Sequence, residues 1–363
     1  MFRFHLRTIL VVASISFLFS FSCQHKEDVP KQVENIKNTR RFIITSPKRG
    51  SELKQSSNLK ISWEKEKSDF NFDSVKIQLD DLTIAVRAED SSSCSLALSN
   101  HKTGHRSLRV TFYADSISEN HIIPVVIFAD KPPVKLKFKV LNTYEHDDKA
   151  YTQGLFFYKN YLYESTGKRT ESSLRKVNPS TGDVLQQYKL KDNIFGEGIA
   201  KINDKIYMLS YTSHIGFIFD FESFELIREF PLQTTQGWGL TTFNDELLLS
   251  DGTSKLYFYE PEDFIQVNSL DVCTDKKFID NLNELEYTNQ GVFANIYTTH
   301  QIVRIDIETG AVTGTIDLST LYPKNVTFDY DHVLNGIAWN KTSNTFYVTG
   351  KYWPVLYQIQ ITE

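Results

Sequence analysis

An all-β chain, with a five-bladed β-propeller preceded by an immunoglobulin-like β-sandwich, is what this sequence predicts, and three observations predict it. First, a Gly- or Asn-centred turn opens a strand five times: Thr152-Gln153-Gly154-Leu155, Gly196-Glu197-Gly198-Ile199, Gly237-Trp238-Gly239-Leu240, Asn283-Glu284-Leu285-Glu286 and Asn335-Gly336-Ile337-Ala338. Successive turns lie 44, 41, 45 and 52 residues apart, the length of one four-stranded blade. Second, 26 Phe and 18 Tyr stand against two Met, a composition that favours strands over helical bundles. Third, Pro, Gly and β-branched residues interrupt every window of helical length, so long helices are excluded.

Taken in order, the chain starts with a targeting segment over residues 1–22. Arg3, His5 and Arg7 precede an apolar run from Ile9 to Phe21 that ends at Ser22-Cys23, short for the roughly 20 residues of a membrane span. This resembles a bacterial lipoprotein signal, in which cleavage before Cys23 leaves a lipidated N-terminus. That pattern usually has Leu and then a small residue where Ser20 and Phe21 stand, and ordinary secretion or an uncleaved anchor are the alternatives. The expected location is therefore the bacterial cell envelope, periplasm or outer membrane, with a membrane link through the lipid. Residues 23–40, mixed in charge and poor in large apolar side chains, read as a linker.

Residues 41–140 carry short alternating runs, among them Leu59-Lys60-Ile61-Ser62-Trp63, Val75-Lys76-Ile77-Gln78-Leu79 and Leu108-Arg109-Val110-Thr111-Phe112. Six or seven strands in this length, with Trp63 as a core candidate, predict the immunoglobulin-like sandwich, whose last strand would be Lys135 to Val140. Residues 141–363 then form the propeller. Turns such as Asn178-Pro179-Ser180-Thr181-Gly182 and Ile307-Glu308-Thr309-Gly310 recur in the outer part of each blade and allow antiparallel pairing.

Forty basic and 45 acidic residues give a formal net charge of -5 without a basic stripe, which argues against nucleic acid as a partner. Cys94 and Cys273 fall in different expected domains, so no disulfide framework is implied, and neither has metal-ligand spacing. Nine scattered His give no zinc cluster. The sequence lacks Gly-x-Ser-x-Gly, a phosphate loop and His-Glu-x-x-His, so chemistry must come from residues gathered by the fold. Residues at equivalent points of successive blades converge on the axis. The candidates are Gln153, Glu197, Trp238, Asn283 with Glu284 and Glu286, and Asn335 at the strand starts, together with Glu164 and Lys351.

Tyr151-Thr152-Gln153-Gly154-Leu155, Tyr163-Glu164-Ser165-Thr166-Gly167, Phe195-Gly196-Glu197-Gly198, Gly237-Trp238-Gly239-Leu240, Leu282-Asn283-Glu284-Leu285-Glu286-Tyr287, Ala294-Asn295, Leu334-Asn335-Gly336-Ile337-Ala338 and Thr349-Gly350-Lys351-Tyr352-Trp353-Pro354 follow one another in the chain. In that order they resemble the plant- and bacterial-type glutaminyl cyclases, the glutamine cyclotransferases, over about residues 144–361. Nothing before residue 140 belongs to the resemblance. It implies a five-bladed propeller that cyclises N-terminal glutaminyl residues to pyroglutamate and releases ammonia. The substrate's own amine is the nucleophile, so the protein must fold the substrate, stabilise an oxyanion and move one proton.

By resemblance Glu197 carries the proton. Burial beside Phe195 and other aromatics would raise its pKa toward a useful value of about 6 to 7. Glu164 is the alternative acid, although its segment also suits a structural tie. Lys351 would stabilise the oxyanion, Gln153 and Asn283 would hold the substrate amide and backbone, and Trp238 would supply a flat wall. Phe195, Tyr211 and Tyr297 complete the expected substrate-binding set. Tyr211 and Tyr297 stand where the family usually has Trp, and Gln236 stands where an acid usually precedes Gly-Trp-Gly. These departures put pocket shape and the pKa of Glu197 in question.

No cofactor is required by this mechanism. A structural Ca²⁺ in the axial channel is compatible with the oxygens of Asn283, Glu284 and Asn335. Expected partners are peptides or proteins with N-terminal Gln, and the expected state is a monomer. Two other functions fit a propeller with these residues, a metal-dependent hydrolase or lactonase and a non-catalytic cell-surface binding module.

Overall fold

The computed structural model describes residues 40–66, 71–88, 91–98, 101–114, 117–327 and 329–363. The signal segment, Cys23 and almost all of the expected linker lie outside the described residues. Arg40–Glu363 forms one compact unit.

Alternation builds the front of this unit. Strand Asn58–Lys65 buries Leu59, Ile61 and Trp63, and strand Ser74–Leu79 buries Val75, Ile77 and Leu79, each at every second position. Two sheets share the resulting core. One is three-stranded, in the order Phe42–Ser46, Asn58–Lys65, Ser93–Ala97; the other is five-stranded, in the order Ser51–Lys54, Ile117–Phe128, Gly104–Ala114, Ser74–Leu79, Leu82–Ala88. Phe42 stacks on Phe112 at 4.1 Å between centroids, and Trp63 meets Phe112 edge-on at 5.5 Å.

Five further sheets follow. Three are built from consecutive strands: from Thr152–Tyr158 to Val184–Lys189, from Gly196–Ile202 to Leu226–Pro231, and from Leu240–Phe243 to Ile265–Asp271. A fourth runs from Leu282–Thr288 to Val312–Asp317 and gains a fifth strand, Val134–Lys135, in parallel. In the last, Leu334–Asn340, Thr345–Gly350 and Val355–Thr362 are completed by Lys137–Glu145, which pairs antiparallel with the C-terminal strand.

The expectation of a five-bladed propeller behind an immunoglobulin-like sandwich is therefore corrected to an all-β fold of seven sheets, consistent with a multi-bladed propeller. Two physical causes lie behind the correction. The sequence repeat registers the inner turns, whereas sheet membership depends on pairing between remote strands, and two sheets recruit strands from before the first repeat. The stretch Lys135 to Val140, expected to close the sandwich, is divided between these two recruited strands. At the front, Ser51–Lys54 runs parallel to Ile117–Phe128, and strands divide three and five, unlike the antiparallel seven-stranded immunoglobulin arrangement.

The repeated turn positions the site. The first strands of the five rear sheets, Thr152–Tyr158, Gly196–Ile202, Leu240–Phe243, Leu282–Thr288 and Leu334–Asn340, lie side by side in a closed ring. The backbones approach so closely there that only glycine fits: a Cβ on Gly198 would lie 2.4 Å from the Leu240 nitrogen, and one on Gly239 would lie 2.1 Å from the Asn283 carbonyl oxygen. Where the repeat has Glu284 instead of glycine, its carboxylate bridges neighbours, accepting the Leu155 N–H at 3.1 Å and the Ile337 N–H at 2.8 Å. The Ser165 and Ser250 hydroxyls donate to the carbonyls of Glu197 and Asn283 at 2.6 and 2.7 Å. These bonds satisfy backbone groups that are buried away from water.

Candidate active site

Each inner strand starts at the face of the ring to which the second strand of its sheet returns. Inner-strand starts therefore meet second-strand ends, and a cavity of about 180 Å³ opens between them. Tyr151, Gln153, Phe195, Glu197, Trp238 and Asn283 come from the starts; Tyr211, Tyr297 and Lys351 follow the second strands. The fold thus brings together eight residues singled out in the sequence. Tyr151 was missed, although it immediately precedes an inner strand just as Phe195 does, and that signal could have found it.

Gln153 and Glu197 are adjacent, with the Gln153 amide donating to Glu197 Oε1 at 3.0 Å. Asn335 sits at the equivalent repeat position but supports the site from outside. Its amide donates to the Thr152 carbonyl at 3.0 Å and, at 3.4 Å, to Gln153 Oε1, which fixes which way the Gln153 amide faces. Glu197 is only 4% exposed, and Lys351 only 3%. Burial drives the Glu197 carboxyl well above its ordinary range, with the Lys351 charge opposing the shift. Burial also lowers Lys351 to about 8, against the pull of Glu197. The ammonium lies 4.7 Å from the Tyr151 ring centre and 4.9 Å from that of Tyr297, so two aromatic faces replace part of its lost hydration. Asn283 is 2% exposed, and among the described residues its side-chain oxygen has no hydrogen-bond partner. An acceptor in that state has capacity for a ligand donor.

The walls are aromatic. Trp238 meets Tyr297 edge-on at 5.4 Å, Tyr151 meets Phe195 at 5.9 Å, and Phe195 tilts against Tyr211 at 5.6 Å. Gln236 accepts the Trp238 indole N–H at 2.9 Å and so orients that ring. The Tyr297 hydroxyl donates to the Tyr330 carbonyl at 3.3 Å. A polar floor of amide, carboxyl and ammonium inside an apolar wall suits a small neutral amide that develops charge during reaction.

Glu164 is not among the cavity-lining residues. It is 2% exposed, and its Oε1 accepts the Thr152 hydroxyl at 2.7 Å and His146 Nε2 at 3.0 Å. Its carboxyl is lowered because His146, Arg175 and Thr152 outweigh a large burial effect. Of the oxygens considered for Ca²⁺, both of Glu284 accept backbone N–H groups, whereas Asn283 Oδ1 and Asn335 Oδ1 are buried without a hydrogen-bond partner among the described residues. No group of three or more His, Cys, Asp or Glu placed to hold a metal occurs among the described residues.

Comparison with known proteins bears on this geometry. The glutamine cyclotransferase family matches residues 113–361. A glutaminyl-peptide cyclotransferase of Arabidopsis thaliana is 36% identical over 230 residues, covering 62% of this chain and 72% of the relative. The crystal structure of Myxococcus xanthus glutaminyl cyclase superimposes with a TM-score of 0.59 at 33% identity, over 63% of this chain and 98% of that one.

Proposed function

The chain belongs to the glutamine cyclotransferase family, and from that premise we propose that Glu197 carries the proton and Lys351 holds the oxyanion while N-terminal glutaminyl residues of peptides close to pyroglutamate. The observation that carries this reading is the meeting of Gln153, Glu197, Asn283 and Lys351 in one aromatic-walled cavity.

The reaction asks for little covalent chemistry. The neutral α-amine attacks the side-chain amide carbon, a C–N bond forms, the C–NH₂ bond breaks, and one proton passes from the attacking nitrogen to the departing ammonia. Water is neither consumed nor produced. Trp238, Phe195, Tyr211 and Tyr297 enclose the glutaminyl side chain and hold it curled toward its own amine, which supplies the proximity term. Gln153 and Asn283 present amide groups to the substrate, and the unpartnered Asn283 oxygen is suited to an amine or amide N–H.

Glu197, pushed upward by burial, can give a proton to the leaving nitrogen and recover one from the attacking amine, so it ends as it began. Lys351 keeps its ammonium below about pH 8, where it neutralises the oxygen of the tetrahedral intermediate. No step is assigned to a metal, and the monomer is taken as the working unit. The envelope location belongs to the same reading, supported by the apolar run that ends at Ser22-Cys23. Replacing Glu197 by Gln tests the proton role: kcat should fall by about 10²- to 10⁴-fold while KM changes little.

A further inference from the structure

Behind the cavity wall lies a buried charged cluster that the reaction does not touch. His146 precedes the first inner strand, and its imidazole is 6% exposed. Its Nδ1 lies 2.8 Å from the Trp353 carbonyl oxygen and its Nε2 lies 3.0 Å from Glu164 Oε1. A carbonyl can only accept, and an ionised carboxylate can only accept, so both ring nitrogens must donate. With Glu164 ionised, this geometry makes the ring an imidazolium.

Glu164, from strand Tyr161–Thr166, is held ionised by the Thr152 hydroxyl at 2.7 Å and by Arg175, whose guanidinium is 3.9 Å from Oε2. Arg175, from strand Ser173–Val177, also pairs with Asp147 at 2.8 Å. Thr349, from strand Thr345–Gly350, brings its hydroxyl to 3.4 Å from Nδ1 while donating to the Val355 carbonyl at 2.8 Å. Glu145 lines the same small space beside His146. Burial works against the charge, but Glu164, the Trp353 carbonyl and Asp147 together raise the imidazole above its ordinary 6.5.

The cluster spans the junction where the first rear sheet meets the last. On one side, Thr152 is the chain neighbour of Gln153, which touches Glu197. On the other side, Thr349 and Trp353 bracket Lys351, with Trp353 fully buried. We infer that His146, as an imidazolium bridging Glu164 and the Trp353 carbonyl, is a positioning residue that sets where the Lys351 ammonium lies relative to Gln153 and Glu197. The inference rests on the role given to Lys351 above.

The test is a double-mutant cycle on the full chain with a glutaminyl dipeptide, His146→Gln against Lys351→Met, with folding checked by circular dichroism. Misplacing the ammonium by about 1 Å should lower kcat on the order of 10–100-fold and leave KM nearly unchanged. In the Lys351→Met background the same change should cost almost nothing, because the group it positions is gone. A purely structural role would lower the melting temperature and multiply into both backgrounds equally. Should His146→Gln not fold, Glu164→Gln enters the same cycle. Nitrogen NMR of the wild type should show both ring nitrogens of His146 protonated at neutral pH, and in Glu164→Gln that state should be lost at lower pH. A folded His146→Gln enzyme with wild-type kcat, a fully additive cycle or a neutral imidazole would overturn the proposal. Wild-type kcat in Lys351→Met alone would overturn the role of Lys351 itself, which is a distinguishable result.

Discussion

Glu197 and Lys351 share a low-dielectric cavity, and each shifts in the direction that makes it useful. Burial raises the carboxyl and lowers the ammonium, while their mutual attraction restrains both shifts. The pH profile follows from the lysine. With its value at about 8, kcat should fall as pH rises through that point, since the oxyanion loses its partner when the ammonium loses its proton. Lys351→Met should remove this alkaline limb and reduce kcat by about 10²- to 10³-fold, read from steady-state rates between pH 6 and 10. Four of the cavity positions were legible because Gln153, Glu197, Trp238 and Asn283 all occupy the residue that precedes the repeated Gly or Glu. Asn335 occupies it too, yet turns its amide toward Thr152 and Gln153. Side-chain direction of this kind is set by neighbours that no local pattern records. Glu164, the alternative acid in a segment that also suits a structural tie, meets the Thr152 hydroxyl and His146 Nε2 at its Oε1, contacts that no local pattern records.

The inner strands explain why glycine recurs. Gly198 and Gly239 mark the closest approach of consecutive strands, so a methyl group cannot be accommodated without moving backbone. Gly239→Ala should destabilise the fold by about 1–3 kcal/mol, measured by denaturant unfolding. Glu284→Gln should act similarly, because an amide supplies one acceptor where two backbone N–H groups need two. The His146–Glu164 pair gives the unfolding free energy a defined pH window. His146 is raised above 6.5, so its contribution is complete below that value and is lost as pH rises through the folded value. Glu164 is lowered from 4.5, so its contribution is present above that value and is lost as pH falls through the folded value. A flat stability profile across both limbs would contradict this arrangement. Strand existence was readable from alternation and turns, but strand partnership was not. Lys137–Glu145 carries alternation like any other strand, and nothing local in it points to a partner more than 200 residues later.

That remote pairing closes the molecule. Without Lys137–Glu145, the C-terminal strand Val355–Thr362 would present an unpaired edge, and the sheet that holds Lys351 would lose its outer strand. A chain starting after Glu145 should therefore unfold at lower temperature than one starting at Arg40 and lose activity with it. The front sheets are tied to the rear by named bonds. The Thr103 hydroxyl donates to the Asp271 carbonyl at 2.9 Å, the His105 N–H donates to the Asp271 carboxylate at 2.9 Å, and His105 stacks on Phe278 at 4.8 Å. Turnover is best followed in the full chain, by counting ammonia released and pyroglutamyl peptide formed from an N-terminal glutaminyl dipeptide by the wild type and by Glu197→Gln. We expect one ammonia per pyroglutamyl product in the wild type, and in the folded mutant a kcat about 10²- to 10⁴-fold lower with substrate binding retained. Wild-type kcat in Glu197→Gln would contradict the assignment and leave the proton to another group in the cavity.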